Sequence, residues 1–209
     1  MAEALAAGAH PEALRFDFRL EAEVRGERGE AAYATNAEPA FRIDENAGAK
    51  ARRRLESTFA ALSASADAPQ LGYADLPAAM AGGIVPGSEP NAFRFTPQRV
   101  ASADAEAAPL AYLVAEIDID PAGPFIREYR IVSQAPFQAG AVRIDSFRQV
   151  FRYAYVPELC VAVVTESMTE VVGAAFLQKF QDRDILRFSD VRQASGEGRC
   201  PLGEAKTAP

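Results

Sequence analysis

The sequence predicts an α+β domain built on a mainly antiparallel β-sheet. Three observations carry that expectation. Residues 14–25, LRFDFRLEAEVR, alternate without a break: Leu14, Phe16, Phe18, Leu20, Ala22 and Val24 are apolar, while Arg15, Asp17, Arg19, Glu21, Glu23 and Arg25 are charged. Strand side chains point alternately to the two faces, so this segment reads as a long strand with one greasy and one ionic face. From residue 110 onward, strand-like segments follow one another with short turns between them. The regular strand–helix alternation of a parallel sheet is missing.

Taken in order, residues 1–12 are rich in Ala and Gly and are expected as a flexible N-terminus. The first strand ends at GERGE, a turn signal, and AAYATNAEPAFRID folds back on it as the second arm of an N-terminal β-hairpin. Ala31, Tyr33, Ala37, Phe41 and Ile43 form its apolar side, and Pro39, which cannot donate to a ladder, marks an edge or a bulge. A helix is predicted at about 47–63, with Asp44 or Asn46 as its cap and Ala51, Leu55, Phe59 and Leu62 as its apolar stripe.

Residues 64–109 form a long Pro/Gly-rich loop, with six prolines (Pro69, Pro77, Pro86, Pro90, Pro97, Pro109) and one short strand at AFRF, 92–95. A connection of that length is a lid, a binding loop or a loosely ordered segment. LAYLVAEIDID then runs to Asp120, PAGP turns it, and FIREYRIVS returns. AVRID and SFRQVFRYAYV lead into the apolar run LCVAVVT. Ser167 and Glu170 make a capping-box pattern, and Met168, Val172, Phe176 and Phe180 recur every four residues, which predicts a second helix at about 167–181. ILRFSDV is a last strand. The domain therefore spans 13–193, and 194–209 form a flexible C-terminal tail.

With 209 residues, 49% of them hydrophobic, the chain can bury a sizeable core. Its net charge of −7 opposes non-specific binding to nucleic acid. The apolar runs are short and broken by charges, and the opening MAEALAAGAHPEAL lacks the basic start of a secretory signal, so a cytoplasmic location without membrane contact is expected. Cys160, in ELCVAVV, reads as a small core residue and Cys200 lies in the polar tail; a disulfide between them is one alternative, and a cytosolic chain would keep both reduced.

Several chemistries are excluded. His10 is the single histidine, and with two distant cysteines it leaves no Ser-His or Cys-His pair in the core and too few ligands for a thiolate–imidazole zinc site. Phosphate-cradling glycine motifs and the G-x-S-x-G elbow are absent from the sequence. No catalytic residue is assigned and no cofactor is expected.

Three clusters remain. In EIDID, Glu116, Asp118 and Asp120 share a strand face about 6.6 Å apart, a spacing from which carboxylates can serve a hard cation such as Mg²⁺. The plainer reading takes PAGP as a hairpin loop that sets Asp120 against Phe125, Asp118 against Arg127 and Glu116 against Tyr129, with Asp118–Arg127 as a cross-strand ion pair. In KARRR, Lys50, Arg52, Arg53 and Arg54 fan around the polar side of the first helix, as a solvated face or a partner contact. In FRQVFRYAYV, Phe147, Phe151, Tyr153 and Tyr155 share one strand face, which either packs as core or lines an apolar cavity.

The first functional reading is a non-enzymatic structural or interaction protein, self-associating or part of a larger cytoplasmic assembly. Its contacts to a protein partner or to itself would be Arg15, Arg19, Glu21 and Glu23, with Lys50, Arg52, Arg53 and Arg54. One alternative is a small-molecule-binding domain whose cavity is lined by Phe147, Phe151, Tyr153 and Tyr155. The other is a divalent-metal-dependent enzyme using Glu116, Asp118 and Asp120.

Overall fold

The computed structural model describes residues 1–8, 15–63, 71–73, 76–87, 89–97, 108–157, 159–176 and 178–195. In chain order the elements are α1 (Ala2–Ala6), β1 (Arg15–Val24), β2 (Glu27–Tyr33), β3 (Phe41–Ile43), α2 (Ala49–Ser63) and α3 (Leu76–Ala79). Then come β4 (Val85–Pro86), β5 (Ala92–Phe95), a 3-10 turn (Ala108–Tyr112), β6 (Leu113–Ile119), β7 (Ile126–Ser133) and β8 (Phe137–Ala139). The last three strands are long: β9 (Val142–Val156), β10 (Val161–Ala175) and β11 (Gln178–Ser195). The strands form one 11-stranded sheet in the order β3-β2-β1-β11-β10-β9-β7-β6-β5-β4, with β8 paired to β9 off this path. Every pairing is antiparallel. No helix among the described residues is long and apolar enough to cross a membrane.

The opening alternation places Phe16, Phe18, Leu20, Ala22 and Val24 in the core. β1 lies between β2 and β11, so neither of its edges is exposed. Helix α2 covers β1 and β2, with Ala51 and Leu55 buried against the sheet and Phe59 stacked on Phe41 at 4.2 Å. Its first turn is capped from outside its own segment. Glu27 of β2 accepts a hydrogen bond from the Lys50 backbone N–H at 2.8 Å and pairs with the Lys50 ammonium at 2.8 Å. Asp44, one of the two expected caps, accepts instead from the Asn46 N–H at 2.8 Å.

The second helix predicted at 167–181 is absent; those residues belong to β10, its turn and β11. Four-residue spacing is compatible with a helix face, but it is also even, so Met168 and Val172 fall on one face of β10, while Phe180 stands opposite Gly173 on the other face. The stretch that contains them opens with Val161, Val163, Val164 and Thr165 and continues with Thr169, Val171 and Val172, β-branched residues that favour extended backbone. Gly173 fixes the pairing with β9, because a Cβ there would lie 2.3 Å from the Arg143 carbonyl oxygen. Phe176 sits at the turn with φ 48° and is 87% exposed.

Two further segments depart from their sequence reading. Alongside the outer part of β10, the N–H groups of Ala162 and Val164 donate to Ala7 O at 2.7 Å and Leu71 O at 2.8 Å. Residues 1–8, expected as loose, thereby hold Ala4 and Ala7 in the core. Cys160 precedes β10 rather than lying in the core run: it is half-buried, has φ 53° and is disulfide-bonded. The second cysteine, Cys200, lies outside the described residues, as do His10 and the tail from 196.

Candidate functional site

Cross-strand partners share a face, so the pairing register can be followed across the sheet. One row runs Gly29, Ala22, Leu186, Ser167, Phe151, Tyr129, Ile117, Phe93, from β2 to β5. This is the face that α2 covers at its β1–β2 end. Beyond the helix, Leu186, Ser167, Phe151 and Tyr129 of this row floor a partly open cleft of about 570 Å³, bounded by α2 and by residues 72, 73, 76 and 79. The sheet contributes Tyr129, Gln149, Phe151, Tyr153, Val164, Ser167, Leu186 and Phe188. A bulge between Val164 and Glu166 turns both Val164 and Ser167 inward, so β10 presents a methyl pair and a hydroxyl to the same hollow. Tyr73, Leu76 and Ala79 close one side, and Arg54, Ser57, Thr58, Ala61 and Leu62 of α2 form the other.

The floor is aromatic and rigidly held. Tyr129 stacks on Phe151 at 5.7 Å and on Phe95 at 6.2 Å, and Tyr73 meets Tyr153 edge-on at 4.8 Å. The Tyr73 hydroxyl donates to Ala4 O at 2.6 Å and accepts from the Ile126 N–H at 3.1 Å, which ties Tyr73 to α1 and β7. Burial raises the phenol pKa of Tyr73 and of Tyr129 to about 12, and that of Tyr153 still further. All three hydroxyls therefore remain neutral across the physiological range.

Of the four aromatic residues expected to line a cavity, Phe151 and Tyr153 do so. Phe147 lies opposite Val171 further along the strand, and Tyr155 stacks on Phe125 at 5.6 Å, outside the cleft. The basic cluster disperses. Lys50 binds Glu27, Arg52 donates to Asp44 O at 2.9 Å, and Arg53 donates to Ala49 O at 3.3 Å. Arg54 alone of the four reaches the cleft. Tyr73, Tyr129, Gln149, Ser167, Leu186 and Phe188 were not signalled as site residues by the sequence.

The carboxylate row is engaged by arginines. Glu116 meets Arg130 at 3.0 Å and Arg94 at 3.7 Å, and Asp118 bonds Arg127. The Asp118–Arg127 pair and the Asp120–Phe125 backbone contact (2.9 Å) arise as the hairpin reading expects. A bulge between Asp118 and Ile119 nonetheless sets Asp118 opposite Glu128 rather than Arg127, and Glu116 opposite Arg130 rather than Tyr129. Among the described residues, no group of three or more His, Cys, Asp or Glu comes together in a way that could hold a metal ion.

The ionic face of β1 is part of a larger ladder on the outer side of the sheet. Arg187 joins Glu21 and Glu166 at 3.5 Å each; Arg152 joins Glu166 and, at 3.3 Å, Glu128; Arg130 joins Glu128 at 3.2 Å and Glu116. Arg19 pairs with Asp190 at 3.2 Å and Glu23 with Arg28 at 3.4 Å, and Arg15 stands opposite Ser195. Arg19, Glu21 and Glu23, expected to contact a partner, therefore have neighbours of opposite charge within the chain.

Comparison with protein-family models, curated proteins and solved structures yields no match.

Proposed function

We propose that the chain binds a small apolar molecule in the cleft between α2 and the sheet. One observation carries this reading: a hollow of about 570 Å³ with an aromatic and aliphatic floor. Ligand pockets span roughly 300–1,000 Å³ and combine apolar walls with a few placed polar groups. The reading of an assembly built on the charged face of β1 draws less support, because those charges are engaged by β11 and β2. The disulfide at Cys160 favours an oxidising compartment over the cytosol.

The test is a titration with the neutral dye Nile red, whose emission shifts to the blue in apolar surroundings. The chain has no tryptophan and six tyrosines, three of which (Tyr73, Tyr129, Tyr153) line the cleft, so tyrosine emission reports occupancy independently. Saturable one-to-one binding is expected, weakened severalfold by Ala61→Trp at the exposed rim. Absence of saturable binding, or an Ala61→Trp variant that binds as the wild type does, overturns the reading.

A further inference from the structure

The polar groups of the cleft are concentrated at one place on α2. Arg54 and Thr58 are four residues apart, hence stacked on one helix face, and both line the cleft. The Thr58 hydroxyl is buried without a hydrogen-bond partner, in a residue only 9% exposed. The Nε of Arg54 is also buried without one; its nearest anion, Oδ2 of Asp184, lies 3.9 Å away, beyond hydrogen-bond reach. Neighbouring Ser57 already donates to Arg54 O at 3.0 Å. Buried donors are nearly always satisfied in folded proteins, so two orphans on residues that line one hollow call for an acceptor that the described residues do not supply.

We propose that this acceptor is the carboxylate of a single-chain fatty-acid-type ligand, held by Arg54 and Thr58, with its alkyl chain along Phe151, Tyr153 and Leu186. The inference rests on the reading that the cleft takes an apolar molecule and adds the class of that molecule. Arg54 is the one charged side chain among the described residues lining the cleft. A guanidinium N–H and a hydroxyl on residues one helical turn apart can serve the two oxygens of a carboxylate. Asp184 beside Arg54 leaves room for a single negative charge and disfavours a doubly charged phosphate.

The experiment is displacement of Nile red by decanoate and by decanol, which share a chain and differ in the head. Decanoate should bind roughly tenfold more tightly than decanol, the usual worth of a charge-assisted hydrogen bond. Arg54→Met and Thr58→Val should bring decanoate down toward decanol and leave decanol unchanged. Asp184→Asn, which keeps Arg54 and removes the competing anion, should tighten decanoate alone, and it decides the matter if Arg54→Met does not fold. Equal affinity for the two ligands, or variants that weaken both alike, overturns the headgroup site while the apolar cleft stands. If Nile red binds but neither ligand displaces it, the fatty-acid class is wrong; if Nile red itself fails to bind, both proposals fall.

Discussion

Gly29→Ala tests how closely α2 sits on the sheet. Gly29 lies in β2 opposite Ala22, under the helix. An added Cβ would stand 2.8 Å from the Ala47 Cβ, 3.2 Å from the Ala51 Cβ and 3.3 Å from the Leu55 Cδ1. The first two are carbons bound directly to backbone, so they cannot swing aside; the helix and the chain leading into it must move. Replacing a strand glycine ordinarily gains about 0.4–1 kcal/mol, because the unfolded chain loses freedom. Overpacking a closed core costs about 1–3 kcal/mol. The expected net is a loss of about 0.5–2 kcal/mol, or roughly 1–8 °C in Tm for a chain of this size. Urea unfolding followed by circular dichroism measures it. Ala47→Gly removes the nearest obstructing carbon, so the double variant should recover most of the loss, a coupling that independent sites do not show. A Gly29→Ala protein as stable as the wild type, or more so, refutes the packing argument and with it the placement of the wall of the cleft.

Two other outcomes follow from the same geometry. Phe18 is 3% exposed and packs on Tyr33 and Phe188, so Phe18→Asp should unfold the protein, whereas Arg19→Ala, which breaks only an exposed pair with Asp190, should cost within about 0.5 kcal/mol; equal losses in chemical unfolding would mean the faces of β1 are reversed. Tyr73 and Tyr129 ionise near 12 in the fold against 10 for an ordinary phenol, so their contribution is intact below pH 10 and lost as pH rises toward 12; a denaturation midpoint that stays flat across that window would contradict their burial.

The sequence discloses an element best where its pattern contains a step that only one geometry accepts. Residues 15–24 alternate between charged and apolar at every position, which no helix face reproduces, and they form β1. In α2 the stripe Ala51, Leu55, Phe59, Leu62 steps by four, four and three; the odd step would throw Leu62 to the opposite face of a strand, so a helix is required. The stripe Met168, Val172, Phe176, Phe180 has no odd step, and a four-residue period is silent between the two geometries. There the β-branched content of 161–172 and the close approach at Gly173 decide for strands. The cap of α2 was hidden for a different reason: Glu27 is distant in sequence and reaches Lys50 only once β2 is paired under the helix.

The candidate site was legible in the same partial way. Phe151 and Tyr153 stood out because they alternate on one strand, but their neighbours Tyr129, Ser167 and Leu186 join them through register, which depends on bulges that no local pattern announces. Charge was the more misleading signal. The thirteen acidic and basic side chains of LRFDFRLEAEVR, EIDID and KARRR look alike as letters, and the fold sorts them by what stands beside them. On the outer face Glu21, Glu116 and Asp118 each meet an arginine of a neighbouring strand, so they are consumed in holding the sheet together. Lys50, Arg52 and Arg53 are absorbed at the start of α2 by Glu27 and by carbonyl oxygens. Arg54, one residue further, is rotated by the helix toward the cleft, where its Nε lacks an acceptor and Thr58 waits one turn above it. A charge whose neighbours satisfy it stabilises the fold; Arg54, at the wall of an apolar hollow, has only Asp184 beside it at 3.9 Å, and that loose pairing sets it apart from the others.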